Sequence, residues 1–385
     1  MDPGITFLNH GSFGACPRVV LEAQQAVRDR IERDPVQFYK RELEELLDEA
    51  LNELAWFLGA DVHRLVFVPN TTTGVNTVLQ SVHFESGDEL LTTSHAYNAC
   101  RNALAHVAAG AKAKLVEVHV PFPINSAEQV LETVLDAVTP RTRLALLDHV
   151  TSPTGVIFPI ERLVRELEAR GVDTLVDGAH APGMVRVDLQ AFEPAYYVGN
   201  CHKWLCAPKG SAFLHFGRQR KSPIRPLAIS HGANSPRTDR SRLRLEFDWT
   251  GTYDPSAYLA VPVAIRFLGS LLRDGWSGVR NQNRLAALRA RRQLCDELSL
   301  ESPCPDDMIG SLAAIPLPEA PAESVVQPWG PDPLQEALYS RFRIEVPVSP
   351  WPAPPKRLIR LSAHLYNQPS DYDLLTRALK ELLTT

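Results

Sequence analysis

The residues best suited to chemistry in this sequence are polar side chains that directly follow runs of apolar residues. The run at 64–69 is followed by Asn-Thr-Thr-Thr-Gly at 70–74 and then by a helical pattern. Free N–H groups at such a helix start, with hydroxyls beside them, make a cradle for phosphate. The run at 173–177 ends on Asp177, whose carboxylate needs a cationic partner, and Lys203, one of eight lysines, follows another apolar run.

Together these three features are the parts of a pyridoxal phosphate site. Ligands of open α/β sheets bind at the carboxyl ends of the strands, where all three features lie. A lysine forms a Schiff base with this cofactor, a carboxylate holds its ring N–H, and a helix start binds its phosphate. Each feature alone is better explained by a salt bridge or a helix cap, but the three in this order favour the cofactor. The sequence contains neither GxxxxGK[ST] nor GxGxxG, which disfavours a nucleotide P-loop and a nicotinamide dehydrogenase.

Seven short apolar runs predict the strands that must position these groups. The earlier runs alternate with helical stretches and are apolar almost throughout, which is typical of parallel strands buried on both faces. We therefore predict an α/β fold with a mostly parallel seven-stranded sheet and helices on both faces, to which the last run adds an edge strand. The runs are 64–69, 89–94, 114–121, 143–151, 173–177, 195–199 and 211–216.

The segments outside the sheet predict a division into three units. A helical pattern at 19–58, broken near Asp34-Pro35, precedes the first strand. We expect an N-terminal segment at 1–17 that joins the small domain and the active site, a large domain at 18–260, and a small α+β domain at 261–385. The Arg-rich stretch 218–244 is expected to be a loop with some extended structure, either solvated or facing the substrate, because acidic residues are mixed with its arginines.

Composition restricts the classes of function. The 385 residues carry a net charge of −5, so there is no overall basic field for nucleic acid or an anionic membrane. Six cysteines without a CxxC pair indicate neither a disulfide framework nor a metal site. The sequence shows no secretory signal pattern and no apolar run of about 18 residues. We therefore expect a cytoplasmic protein that needs no metal.

At this point the sequence resembles a known group, the class V aminotransferase family of fold-type I pyridoxal phosphate enzymes, and within it the isopenicillin N epimerase-like proteins. The matching motifs cover the opening, most of 64–260 and a segment near 360, but little of 270–340. They are FLNHGSFGACP (7–17), NTTTGVN (70–76), SHAYNA (94–99), HVTSPTG (149–155), VDGAHAPG (176–183), HKWLCAPKGSAFL (202–214), ISHGANSP (229–236), WTGTYDPSAYLA (249–260) and IRLSAHLYN (359–367).

The resemblance implies a cofactor role for each matching residue. Lys203 is the Schiff-base lysine, Asp177 is the partner of the ring nitrogen, and His180 contacts the ring hydroxyl. His95 matches the position at which the family stacks an aromatic ring on the cofactor, and Tyr97 is the alternative for that place or an acid. The positions that match phosphate contacts are Thr71, Thr72, Asn200 and His202.

The resemblance also implies substrate contacts and an assembly. Arg360 matches the arginine that clamps a substrate α-carboxylate, for which a guanidinium fork is geometrically suited. Thr252 matches a position that reaches the phosphate of the neighbouring subunit, so a homodimer with shared active sites is expected. Specificity is expected to reside partly in the opening loop, where the candidate substrate contacts are Asn9 and Ser12.

Several reactions remain open for such a site. A desulfurase of this fold needs a cysteine shortly before the arginine, but 342–360 contains none. Removal of the Cα proton of an amino acid by Lys203 leads either to inversion, with His95 or Tyr97 as the second acid, or to β-elimination from a cysteine derivative or cysteine sulfoxide. The first outcome, an epimerase or racemase, is our main hypothesis, and the C–S lyase is the alternative. A non-catalytic scaffold that binds the cofactor is a third interpretation.

Overall fold

The computed structural model describes residues 1–218, 223–320 and 330–383. Its strands are β1 (Thr6–Phe7), β2 (Leu65–Val68), β3 (Glu89–Thr93), β4 (Lys114–Val118), β5 (Thr142–Asp148), β6 (Asp173–Asp177), β7 (Tyr196–Asn200), β8 (Ala212–Phe216), β9 (Leu312–Leu317), β10 (Ile344–Glu345), β11 (Val348–Pro350) and β12 (Arg357–Ser362). Its α-helices are α1 (His10–Phe13), α2 (Arg18–Arg33), α3 (Pro35–Gln37), α4 (Leu43–Leu58), α5 (Thr71–Ser81), α6 (Asn98–Gly110), α7 (Ala127–Asp136), α8 (Ile160–Ala169), α9 (Leu189–Phe192), α10 (Arg242–Phe247), α11 (Ser256–Leu259), α12 (Val261–Ser270), α13 (Gly275–Leu298), α14 (Pro333–Phe342) and α15 (Pro369–Leu383). A π-helical turn at Phe38–Glu42 joins α3 to α4.

The central sheet has seven strands in the order β2-β8-β7-β6-β5-β3-β4, and β8 is the one that runs antiparallel to its neighbours. This confirms the predicted fold class and the number of strands. The prediction that the run 211–216 forms an edge strand is wrong, because β8 lies between β7 and β2. β8 pairs antiparallel with β7 on one side and with β2 on the other. The pairing with β2 joins strands distant in sequence, which local patterns do not reveal.

The apolar strands are buried on both faces because their alternate side chains enter two different cores. In β2, Val66 and Val68 pack in the core under α5 and α6, whereas Leu65 and Phe67 join the larger core on the opposite face. Helices α4, α7 and α8 contribute their apolar stripes to the larger core. The predicted layers of helix, sheet and helix are therefore confirmed, and the carboxyl ends of the strands form one edge of the sheet.

A second, antiparallel sheet in the order β11-β12-β9 lies later in the chain, with α13 and α15 contributing to its core. The short N-terminal strand β1 pairs in parallel with β10 and so attaches the opening of the chain to this C-terminal region. The predicted boundaries at residues 17 and 260 stay a prediction.

The described part of the Arg-rich segment is mostly loop, as predicted, but its short regular elements are helical and not extended. Within its described part, which leaves out 219–222, a 3₁₀ turn at His231–Asn234 and the helix α10 appear. Arg240 donates to Asp48 at 2.8 Å and to Asp248 at 2.9 Å, and Arg244 pairs with the same two carboxylates. These arginines are thus occupied by ion pairs with α4 and with the segment that follows α10.

Among the described residues, no single helix has both the length and the apolar character needed to cross a bilayer. One pair of helices, Ser256–Ser270 and Gly275–Leu298, meets the length and composition criteria only when taken together, and it is bent by 72° at its break.

The packing of α5 on the sheet predicts an asymmetry between two helical glycines. A Cβ at Gly74 would lie 2.4 Å from Cγ1 of Val198 in β7, whereas a Cβ at Gly110, the last residue of α6, meets open space. Gly74→Ala should therefore destabilise the protein by about 1–3 kcal/mol through overpacking. Denaturant unfolding of both variants measures the difference.

Gly110→Ala is the matched control and should be neutral or stabilise by up to about 1 kcal/mol, because alanine is the better helix former. Equal stability of the two variants would contradict the tight contact between α5 and β7.

Candidate active site

Two neighbouring strands of the central sheet, β6 and β7, place Asp177 and Lys203 at one edge. Asp177 is the last residue of β6, and Lys203 lies in the bend that follows β7. A cavity of about 580 Å³ opens above this edge. Among the residues that line it are Ser12, Tyr97, Ser152, Lys203, Trp351 and Arg360. Segments that are hundreds of residues apart in sequence therefore meet around the lysine.

His180 holds the amine of Lys203. The indole N–H of Trp204 donates to Nδ1 of His180 at 3.3 Å, so this nitrogen is the acceptor and Nε2 carries the ring proton. Nε2 lies 2.9 Å from Nζ of Lys203 and donates to it when the amine is neutral. Burial, followed by the positive charges of Lys203 and Arg360, keeps the pKa of His180 well below its usual value. His180 thus contacts the neutral, nucleophilic form of the lysine.

The pKa of Lys203 is matched to this role. Burial, and after it the cation of Arg360, lowers this pKa to about 7, although Asp177, Cys100 and Asp148 act in the opposite direction. A lysine with its ordinary pKa would be almost entirely protonated at neutral pH and could not attack an aldehyde. At this position a large fraction of the amine is free.

Asp177 is a buried carboxylate without a strong cationic partner among the described residues. Its Oδ1 accepts the N–H of Ala179 at 2.9 Å, and its Oδ2 accepts the thiol of Cys100 at 3.2 Å. Burial raises the pKa of Asp177. A protonated ring nitrogen would supply the missing positive charge. The sequence analysis did not identify the contact with Cys100, which comes from α6.

The start of α5 forms the predicted phosphate cradle. Asn70 caps the helix by accepting the N–H of Thr73 at 2.8 Å, and Oδ1 of Asn200 accepts the N–H of Thr71 at 3.0 Å. The buried hydroxyl of Thr71 has no hydrogen-bond partner within the described ranges. Thr72 follows in the same helical turn and is half-buried. A free hydroxyl at a helix N-terminus suits an anion, so the residues present fit the phosphate.

His202 lies two residues after Asn200, the last residue of β7, which belongs to this cradle. It is half-buried, and its Nδ1 lies 3.2 Å from the carbonyl oxygen of Ser211. Burial lowers its pKa to about 4, which leaves the imidazole neutral at physiological pH. Because a carbonyl oxygen only accepts, the single proton of the neutral ring lies on Nδ1, and Nε2 is left as an acceptor, which contacts a phosphate through a protonated phosphate oxygen.

The structure separates the two candidates for the ring-stacking position. His95 is fully buried, its Nδ1 lies 2.7 Å from Oγ1 of Thr154, and its Nε2 lies 3.0 Å from the carbonyl oxygen of Val120. Burial lowers the pKa of His95 to about 4. Tyr97, by contrast, is 46% exposed and lines the cavity. The turn after β3 thus places Tyr97 in the cavity lining and His95 in the interior, and the assignment of the stacking position stays a prediction.

Arg360 and the opening loop form the other side of the cavity. Nη2 of Arg360 donates to Oγ of Ser12 at 3.1 Å, and Nη1 donates to Oγ of Ser152 at 3.2 Å. Its buried Nε has no partner among the described residues. Burial lowers the pKa of Arg360 to about 10, so it remains a cation at neutral pH. Ser152, which the sequence analysis did not single out, therefore belongs to the candidate carboxylate site.

Two other predicted residues lie elsewhere. The amide of Asn9 donates to Glu345 at 2.9 Å, and its oxygen accepts from Ser12, so Asn9 positions the loop. Thr252 is exposed in the turn before α11 and is absent from the cavity lining.

A buried cluster of His10, Cys206 and His364 lies directly behind Lys203, with potential metal-ligating atoms within 4.8 Å of one another. Both nitrogens of His10 already have partners, because Nδ1 lies 2.9 Å from the hydroxyl of Tyr366 and Nε2 lies 3.1 Å from the carbonyl oxygen of Lys203. The cluster is therefore a hydrogen-bonded core that holds the main chain of Lys203 in place through His10.

Comparisons with known proteins agree with this geometry. The family model described as "Aminotransferase class-V" matches residues 8–271. The chain is 38% identical to the isopenicillin N epimerase of Amycolatopsis lactamdurans, over 99% of this chain and 96% of that protein. It is 30% identical to a probable chloroplastic L-cysteine desulfhydrase of Arabidopsis thaliana, over 99% of this chain and 84% of that protein. The solved structure of the cystine C–S lyase C-DES with its product cysteine persulfide has a TM-score of 0.79 and 20% identity, covering 98% of this chain and 97% of that one, and it supports the fold.

The fold and the comparisons define a pyridoxal phosphate enzyme of fold type I. The chain belongs to the class V aminotransferase family, as the motifs predicted. The predicted cofactor, pyridoxal phosphate, is confirmed by this membership.

The pKa of Lys203 predicts how the protein without cofactor captures pyridoxal phosphate as the pH changes. Because the neutral amine is the reactive form, the capture rate should rise with pH to a midpoint near 7 and then level off. In Arg360→Gln the midpoint should move to higher pH, since the removed cation lowers the pKa of Lys203. Stopped-flow absorbance of cofactor binding measures both curves.

Lys203→Ala should abolish covalent capture of the cofactor. The matched lysine control is Lys209→Ala, because the wild-type amine of Lys209 donates to the carbonyl oxygen of Gly14 and not to the site. A wild-type rate that still climbs above pH 9 would show that Lys203 keeps an ordinary pKa.

Proposed function

We propose that this protein is an epimerase or racemase that inverts the Cα centre of an amino acid or of an amino-acid-derived substrate. The observation that carries the proposal is that a partly neutral lysine, a tyrosine and an arginine line one cavity. The similarity to the isopenicillin N epimerase over nearly the whole chain supports inversion. The substrate itself is proposed only as a class, an amino acid with a free α-carboxylate.

The proposed cofactor contacts follow from the cradle and the two strand ends. Bound pyridoxal phosphate supplies an electron sink that stabilises negative charge at the substrate Cα. Asp177 holds the ring N–H, and His180 contacts the ring hydroxyl next to Lys203. The residues proposed to hold the phosphate are Thr71, Thr72, Asn200 and His202.

The proposed proton transfers use groups on two sides of the substrate. Arg360, with Ser12 and Ser152 fixing its guanidinium, holds the α-carboxylate. Nζ of Lys203 removes the Cα proton, which its pKa of about 7 permits near neutral pH. The hydroxyl of Tyr97 then delivers a proton to the opposite face of the same carbon. His95 supports the wall behind the cavity, because both of its nitrogens have partners.

A C–S lyase is the second candidate, and a specific observation favours it. Curated relatives that cover 99% of this chain include L-cysteine desulfhydrases at 29–30% identity. The same removal of the Cα proton by Lys203 would expel a sulfur substituent from Cβ, and this reaction needs no acid on the opposite face.

The two candidates differ in their dependence on Tyr97. If the protein is an epimerase, Tyr97→Phe should slow inversion by roughly 10²–10⁴-fold, because it removes a general acid, while Lys203 still exchanges the Cα proton with solvent. Chiral chromatography measures inversion, and NMR in D₂O measures exchange. The matched control is Tyr339→Phe on α14, away from the cavity lining.

Exchange without inversion in the wild type would exclude the epimerase, and release of pyruvate and a thiol from cysteine derivatives would establish the lyase in its place. The absence of both Cα proton exchange and pyruvate release with every amino acid tested would reject both.

The proposed protein is a cytoplasmic homodimer in which Thr252 reaches the phosphate of the neighbouring subunit. The exposed position of Thr252 and the six free cysteines, which suit a reducing compartment, support this.

Thr252→Ala should weaken cofactor binding roughly 10- to 100-fold, the loss of one hydrogen bond to a charged group. Sedimentation should give twice the chain mass of 42.7 kDa for the variant and the wild type alike. Thr238→Ala, an equally exposed change, is the control. A monomer with normal cofactor affinity would refute the shared site.

A further inference from the structure

A second buried carboxyl lies beside Asp177. Asp148 is the last residue of β5, and it pairs in register with Asp177 at the end of the parallel strand β6. Register partners on neighbouring parallel strands point to the same face of the sheet and lie about 5 Å apart. Two residues earlier, Leu146 and Leu175 both pack in the core under α5 and α6, so the two aspartates face α6 together.

The surroundings of the two carboxyls supply at most one cation that could compensate their negative charge. Both aspartates are nearly inaccessible to solvent. Among the described residues, the titratable and charged groups that act on the pair are Cys100 of α6 and Lys203, while Tyr197 of β7 interacts with Asp177 from the larger core on the other face of the sheet. Lys203 is only partly protonated at neutral pH, because its pKa is about 7. Two neighbouring buried carboxylates cannot both ionise under these conditions.

The two carboxyls differ in the charge beside them. Asp177 accepts from the N–H of Ala179 and from the thiol of Cys100, which stabilises its charged form. Backbone N–H groups, including that of Tyr97, also stabilise the charged form of Asp148, but burial and the neighbouring charge of Asp177 oppose its ionisation. Burial and this charge raise the pKa of Asp148 well above its usual value, and the pKa of Asp177 is also raised by burial.

We propose that Asp148 is a positioning residue that stores one proton beside Asp177, so that Asp177 stays an anion ready to pair with a protonated ring nitrogen. When the cofactor binds, Asp148 keeps its proton, and the charge of the ring is balanced by Asp177 alone. The inference rests on the proposed cofactor contact of Asp177, but the proton on Asp148 should already be present before the cofactor binds.

Infrared spectroscopy of the cofactor-free protein tests the stored proton. At pH 7 the wild type should show the C=O stretch of a buried neutral carboxyl, shifted in D₂O. Asp148→Asn should lack this band, and Asp136→Asn, which removes an exposed carboxylate from α7, should retain it. In Asp177→Asn the band should titrate lower than in the wild type by about one pH unit or more, since the neighbouring charge is gone. Adding pyridoxal phosphate to the wild type should leave the band in place.

A band that survives in Asp148→Asn, or that titrates identically in Asp177→Asn, would overturn the proposal, as would loss of the band when cofactor binds. If Asp148→Asn does not fold, the titration of Asp177→Asn and the wild-type cofactor experiment still decide. Visible absorption in the same samples reports cofactor binding separately. A wild type that fails to bind pyridoxal phosphate would therefore refute the proposed function without touching the infrared result on the stored proton.

Discussion

The partial removal of the Lys203 amine from water is the constraint on which the site depends. A buried ammonium is unfavourable, so the amine is pushed toward its neutral form, and each contact around it is compatible with that form. His180 offers a donor, Arg360 adds a second cation, and His10 holds the carbonyl oxygen of the lysine. The carboxyl groups of Asp177 and Asp148 partly offset this lowering of the lysine pKa. The reactivity of the lysine therefore comes from the whole environment and not from any single partner.

That environment is assembled from three distant parts of the chain. The sheet supplies the acids and the lysine, the opening loop supplies Ser12, and β12 supplies Arg360. A Cβ at Gly14, whose φ is +70°, would lie 2.0 Å from the carbonyl oxygen of His202. The opening loop thus lies directly against the backbone of the lysine bend, and only glycine fits there.

The strand-end residues could be predicted from the sequence because their placement follows from local patterns. An apolar run followed by Asp177 or Lys203 determines which edge of the sheet carries each side chain, whatever the strand order. The interior position of β8, the orientation of His95 and the contribution of Ser152 could not be predicted in this way, because each depends on contacts between segments far apart in sequence. Asp148 was overlooked for a different reason. It ends an apolar strand as Asp177 does, but no motif distinguishes it, and its neighbour is known only once β5 and β6 are paired.

The link between the opening loop and Arg360 has a consequence for how the protein is made. Ser12 and Arg360 are separated by 348 residues, and β1 pairs with β10 near the other end of the chain. During synthesis the central sheet can form first, as N-terminal units generally do. The opening segment then stays unpaired until β10 and β12, which carry its partners, have left the ribosome. The lysine bend consequently stays open to solvent in the nascent chain until the opening segment and Arg360 have packed against it.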